Sequence, residues 1–151
     1  MYIFKNFYRK EVITMLAKEI TYTNFNDEEV TVKRYFNLSK TEAMRLVNGH
    51  GGMDTYLQEV ADKKDNEKLI DFVEELVLSA YGRRDENDPE VFDKSDEAKD
   101  AFAKSPAFDE LVYTLLTNEK EFVDFFYGIL PKSLREQALA QKMYQEFAQN
   151  E

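Results

Sequence analysis

The chain has no cysteine and a single histidine in its 151 residues. Without cysteine there is no disulfide scaffold, no Cys-ligated zinc and no thiol nucleophile, which suits a reducing cytosol. One histidine excludes a multi-histidine metal site. No apolar run approaches the roughly 20 residues that a membrane helix needs. Basic residues are also scarce. Twenty stand against 30 acids, and the net charge of −10 opposes binding to nucleic acid phosphates and to anionic membranes. What the chain does have is apolar mass: 43% of it is hydrophobic, with 12 Phe and 9 Tyr. That is too much for a disordered acidic chain. The length corresponds to about one domain.

Residues 1–14, MYIFKNFYRKEVIT, stand apart. They carry a charge of +2, with no clear amphipathic period and no small-residue cleavage site of a signal peptide. Lys10-Glu11-Val12 reverse-translates to AAG-GAG-GTN, which contains the purine-rich ribosome-binding sequence of bacterial messages, and Met15 follows at initiation spacing. The expectation is a translated leader or disordered arm over 1–14 and one domain over 15–151.

From Lys18 to Leu38 the pattern alternates as in strands. Ile20 and Tyr22 lie on one arm, Val30, Val32, Arg34 and Phe36 on the other, and Asn26–Glu29 supplies turn chemistry. A lone hairpin is marginal, so helices or another sheet must cover its apolar face. The period then shifts to 3.6. Ser39-Lys-Thr-Glu42 forms a capping box opening a helix with Ala43, Leu46 and Val47, which stops at the Gly-rich Asn48–Gly52. A second helix is expected over Asp54–Asp62. A third is capped by Asp65, carries Leu69, Phe72/Val73, Leu76/Val77 and Ala80, and ends at Tyr81-Gly82. Residues 83–94 read as the one long irregular stretch. Start signals follow at Ser95, at Ser105-Pro106 and at Asn118-x-x-Glu121, and Pro131 opens a last helix to about Phe147. The fold class is α+β, mostly α: an N-terminal hairpin followed by a bundle of six or seven short helices. Phe72, Leu76, Leu111, Leu115, Phe122 and Phe126 are the expected core.

The residues offer little chemistry. The stretch Asp85–Asp100 holds eight acids against Lys94 and Lys99, but it lacks the spacing of a calcium loop, and Pro89 interrupts it. His50 lies among glycines with no partner at telling spacing. Glu74/Glu75 fall on the polar face of a helix. The glycines near His50 lack the lysine and hydroxyl of a phosphate loop. No catalytic residue, metal site or cofactor is expected.

The order of segments from Met15 to Leu130 resembles that of the tail assembly chaperones of long-tailed bacteriophages and prophages, especially those of Gram-positive hosts. A hairpin runs into YFNLSKTEAMRL, then come a Gly-rich break, a helix ending ELVLSAYG, an aspartate-rich loop with Phe92-Asp93-Lys94-Ser95, and AFAKSPAFDELVYTLLTNEKEFVDFFYGILP. The AYG ending, the F-x-K-S step, the Ser-x-Ala-Phe helix junction and the closing G-I-x-P carry the resemblance. The chain departs from it at Glu86-Asn87-Asp88-Pro89, where the family tends to have a Ser-x-Asp-Gly turn.

The resemblance implies a non-enzymatic role in the host cytoplasm. Such a protein coats the tape-measure protein, recruits tail-tube subunits and is absent from the mature virion. A bare tape measure is a long helical chain with apolar stripes that would aggregate, and a small acidic partner would keep it soluble. Two surfaces are expected to carry this role. Ile20, Tyr22, Val30 and Val32 mark the hairpin edge, which suits homo-oligomerisation. Leu134, Ala138, Met143 and Phe147 mark the thin apolar stripe of the C-terminal helix, which suits the client. An alternative from the charge alone is an acidic inhibitor that mimics nucleic acid to block a host nuclease. It requires a contiguous stripe of carboxylates.

Overall fold

Alternating β-branched and aromatic residues set the first two strands. In the computed structural model, which describes residues 15–49, 51, 52, 55, 58 and 66–136, strand β1 spans Leu16–Thr23 and β2 spans Glu29–Phe36. They pair antiparallel from Leu16↔Phe36 to Thr23↔Glu29. The turn is held by Asn24, whose Oδ1 accepts the N–H groups of Asn26 and Glu28 at 2.9 Å, with Asp27 in the left-handed region at φ 59°. Even-numbered residues face the helices. Ile20 and Phe36 are buried, and Leu16, Tyr22 and Val32 pack against the core. The opposite face is polar, where the hydroxyls of Thr21 and Thr31 bond at 2.8 Å.

The capping box forms as expected. Glu42 N donates to Ser39 Oγ at 3.1 Å, and Ser39 N donates to Glu42 Oε1 at 2.9 Å. Helix α1 spans Lys40–Gly49, buries Ala43 and Leu46, and is followed by Gly51 and Gly52 at positive φ. His50, Asp65, the Val47 side chain and, apart from residues 55 and 58, the expected helix 54–62 lie outside the described residues. Helix α2, Asn66–Ala80, buries the predicted stripe from Phe72 on, with Leu76, Val77 and Ala80 fully inaccessible and Leu69 half-buried.

Residues 81–94 differ from expectation. Helix α2 ends at Ala80, and the chain passes directly into strand β3, Tyr81–Arg84, which an acidic turn joins to the short β4, Phe92–Asp93. The hairpin is thus half of a four-stranded antiparallel sheet in the order β1-β2-β3-β4. Gly82 is a strand residue, not a helix cap. A Cβ there would lie 2.7 Å from the Phe92 ring, so only glycine admits the aromatic across the strands.

Three helices follow, each opened by the side chain that the sequence nominates. Ser95 caps α3, Asp96–Ala103; Ser105 caps α4, Pro106–Thr117, with proline in the first turn; Asn118 caps α5, Glu119–Ile129. Residues 132–136 are helical. Helices α4 and α5 lie against β1, and α2 and α5 flank α4. Phe36, fully buried, sits at the centre, with ring centroids 5.9 Å from Tyr81 and from Phe102 and 5.2 Å from Phe125. Phe72, Leu76, Leu111, Leu115 and Phe126 are buried as expected, whereas Phe122 stays half-buried, stacked on Phe126. The architecture is α+β, mostly α, with the hairpin extended by two strands that local pattern did not announce.

Candidate functional site

Helix α2 has no basic residue in its last turn, so its terminal carbonyls need partners from elsewhere. Two lysines after β4 supply them. Lys94 Nζ donates to Ser79 O at 3.0 Å, to Asn37 O at 2.5 Å and to both Glu42 oxygens at 2.8 Å. Lys99 Nζ donates to Leu78 O and, at 3.2 Å, to Tyr81 O. Lys94 therefore fastens the end of α2, the exit of β2 and the capping box of α1 to one amine. Burial lowers the pKa of Lys94, while its bonds to Glu42 act against that shift. Burial also lowers Lys99, and the neighbouring Lys94 charge adds to this. Burial would raise Glu42, but the Lys94 ammonium and the Ser39 N–H outweigh it, so its pKa falls below the usual value. This cluster is architectural: its partners are helix ends and backbone.

The motifs behind the family resemblance acquire physical reasons here. Tyr81 stacks on Phe102 at 4.1 Å, Gly82 makes room for Phe92, and Lys94 closes the cluster. In the closing G-I-x-P, Gly128 lets Leu16 approach, since a Cβ would meet its methyls at 3.1 Å, and Ile129 O accepts the N–H of Leu38 at 2.8 Å. Sequence reading placed Lys94 in the F-x-K-S step and Lys99 among the charges of an acidic stretch, but missed the role of both at the helix ends. Their spacing from the helix ends they serve carries no local signal.

The acidic stretch spends several carboxylates on its own backbone. Asp85, Asp88 and Asp93 accept the N–H groups of Asn87, Glu90 and Ser95 at 2.8–2.9 Å. Among the described residues no group of three acids or histidines could hold a metal ion, and no helix is long and apolar enough to cross a membrane. Glu74 and Glu75 lie on α2, half-buried and exposed.

The expected partner residues separate into three groups. Ile20 is buried, and Tyr22, Val30 and Val32 are half-buried on the face that the helices cover. Among the described residues, what the hairpin offers outward is the backbone edge of β1, the first strand in the sheet order. Leu134 packs against the core, and beside it Arg135 donates to the carbonyls of Tyr127, Gly128 and Leu130, closing the end of α5. Ala138, Met143 and Phe147 lie outside the described residues. Exposed apolar side chains are spread over separate elements, with Phe25 at the hairpin tip 93% exposed and Tyr113 on α4 63% exposed.

These features define a small α+β domain whose polar clusters hold elements together and whose accessible features are strand edges and single apolar side chains. Residues 15–151 match the family model of phage tail assembly chaperones, and the chain belongs to that family. No curated protein and no solved structure gives a significant match. Membership makes phage tail proteins the partners of this domain.

Proposed function

We propose that this chaperone binds the tape-measure protein and recruits tail-tube subunits during tail assembly in the cytoplasm of a Gram-positive host, leaves before the virion matures, and turns over no substrate. The observation that carries the reading is the family match over residues 15–151. The physical reasoning is compatible with it. A tape measure presents long apolar helical stripes, and many weakly bound copies of an acidic domain would shield them by multivalency and keep the assembly soluble.

The segment following Glu136, with Ala138, Met143 and Phe147, is the proposed client surface. The edge of β1 is the proposed site of self-association. Because Leu134 and Arg135 belong to the core and to the end of α5, the decisive truncation removes residues 137–151 and keeps both. Co-expression of the full chain with a tape-measure fragment is expected to bring the fragment into the soluble fraction, and affinity capture to recover both. The truncated chain is expected to fold and lose this protection. Full protection by the truncated chain would move the client surface elsewhere. Absence of binding to any tape measure would refute the proposed function.

A further inference from the structure

Strands β2 and β3 pair only at Tyr35↔Gly82 and Phe36↔Tyr81. Beyond these they part, and the fork opens a cleft of about 420 Å³. Lys33 and Arg34 line it from β2, Arg83 and Arg84 from β3, and the stacked rings of Tyr81 and Phe102 lie between them. Among the described residues no carboxylate lines the cleft, although the chain as a whole carries −10. Two of the four cations are held in place. The Arg84 guanidinium lies 5.2 Å from the centre of the Tyr35 ring, and Arg34 Nη1 donates to Lys33 O at 2.9 Å. Arg83 stands opposite Asp93 in the β3–β4 ladder.

The backbone adds a second feature. Asn37 N donates to Ala80 O, and Asn24 N donates to Glu28 O. In an antiparallel ladder these bonds fix the direction of every group along β2. Even-numbered residues turn their N–H and C=O toward β1, and odd-numbered residues turn theirs toward β3. Thr31 and Lys33 therefore aim their backbone groups at a side where, among the described residues, no strand pairs with them.

We propose that this fork docks an extended, carboxylate-rich peptide segment of a partner protein. The segment pairs with β2 at Thr31 and at Lys33, whose carbonyl it takes over from Arg34 Nη1, and sets its carboxylates against Lys33 and Arg84, which share one face of the sheet. Charge complementarity selects the occupant. Asp85 and Glu86 line the adjoining cavity with Tyr35 and Arg84, and Asp93 stands opposite Arg83. The four cations of the fork exceed these near acids by one, while acids beyond about 8 Å are screened at physiological ionic strength. A polynucleotide would continue its phosphates out of the cleft across a surface rich in like charge, whereas a short peptide ends with the cleft. This inference does not depend on the tape measure being the client.

The test is fluorescence anisotropy of the full chain with a labelled decapeptide of alternating Glu and Val. A Lys-for-Glu version and a thymidine decanucleotide serve as the alternative ligands. The acidic peptide is expected to bind saturably and to weaken with salt, and the lysine version is expected not to bind. The variant Lys33→Gln/Arg84→Gln, at two exposed positions, is expected to bind about tenfold more weakly with an unchanged melting temperature. Amide chemical-shift changes on the wild-type chain are expected at residues 31–35, 81–84 and 101–105, and they decide the matter should the variant fold poorly. No binding, equal binding by the variant, tighter binding of the oligonucleotide or shifts confined to other elements would overturn the proposal.

Discussion

Replacing Lys94 with methionine keeps most of the side-chain stem and removes the amine that joins three elements. Its Nζ lies 2.5 Å from Asn37 O, 3.0 Å from Ser79 O and 2.8 Å from each Glu42 oxygen. The substitution relieves the burial that already depresses the lysine's pKa, but it takes this donor from Asn37 O, leaves Ser79 O with only the longer 3.5 Å contact from Lys99, and leaves Glu42 with the Ser39 N–H. A hydrogen bond to a charged group nets about 1.5–3 kcal/mol. Glu42 retains 34% of its side-chain exposure and can recover water, which discounts its share. The net expectation is a loss of about 2–3 kcal/mol, or about 4–12 °C in melting temperature for a domain of this size. Thermal melts followed by circular dichroism, with Glu42→Gln and the double variant, measure both the loss and the coupling, which is expected to exceed about 1 kcal/mol. The sign of the pH dependence follows from Glu42. Its folded pKa is lowered, so its contribution is complete at neutral pH and fades as the pH falls through the folded value, below the usual carboxylate range. Removal of Lys94 should flatten that part of the acid limb. A variant melting within about 1 °C of the wild type, or strict additivity in the double variant, would refute the reasoning.

Gly82→Ala should cost about 1–2 kcal/mol, since its Cβ would sit 2.7 Å from the Phe92 ring, and the cost should vanish in a Phe92→Ala background; urea denaturation of the pair distinguishes this clash from a loss of backbone freedom. Leu76→Ala should cost about 2–5 kcal/mol, because the side chain is wholly inaccessible in the core; a midpoint unchanged in urea would contradict the packing of α2. A chain beginning at Met15 should keep the melting temperature of the full chain, and a drop of several degrees would place residues 1–14 within the fold.

Local signals in the sequence translated faithfully. The hairpin alternation, the Ser39/Glu42 box, the α2 stripe and the caps at Ser95, Ser105 and Asn118 each depend on residues within a few positions of one another. Strands β3 and β4 did not, because four residues and two are too few to show alternation, and Arg83-Arg84 has no apolar side to display. Tyr81-Gly82 read correctly as the end of a helix, but the glycine serves an aromatic ten residues away instead of a left-handed cap. The role of Lys94 was illegible for a related reason. Its partners at Asn37, Glu42 and Ser79 converge only once the sheet is built. The alternation marked the apolar face of the hairpin as the one to be covered, and the helices cover it, which takes Ile20 into the core and packs Val32 against it.

The aromatic cluster around Phe36 also sets the order in which the newly made protein can mature on the ribosome. Its contacts come from Tyr81, Phe102 and Phe125, so the N-terminal hairpin emerges with its central ring bare and waits for three later segments. At translation rates of roughly 5–20 residues per second, the ~90 residues between Phe36 and Phe125 take on the order of 5–20 s to appear. During that interval a strand pair with one greasy face and a free edge is exposed to its neighbours on the same message. A member of a tail assembly chaperone family thus passes through a stage in which its own apolar face needs cover.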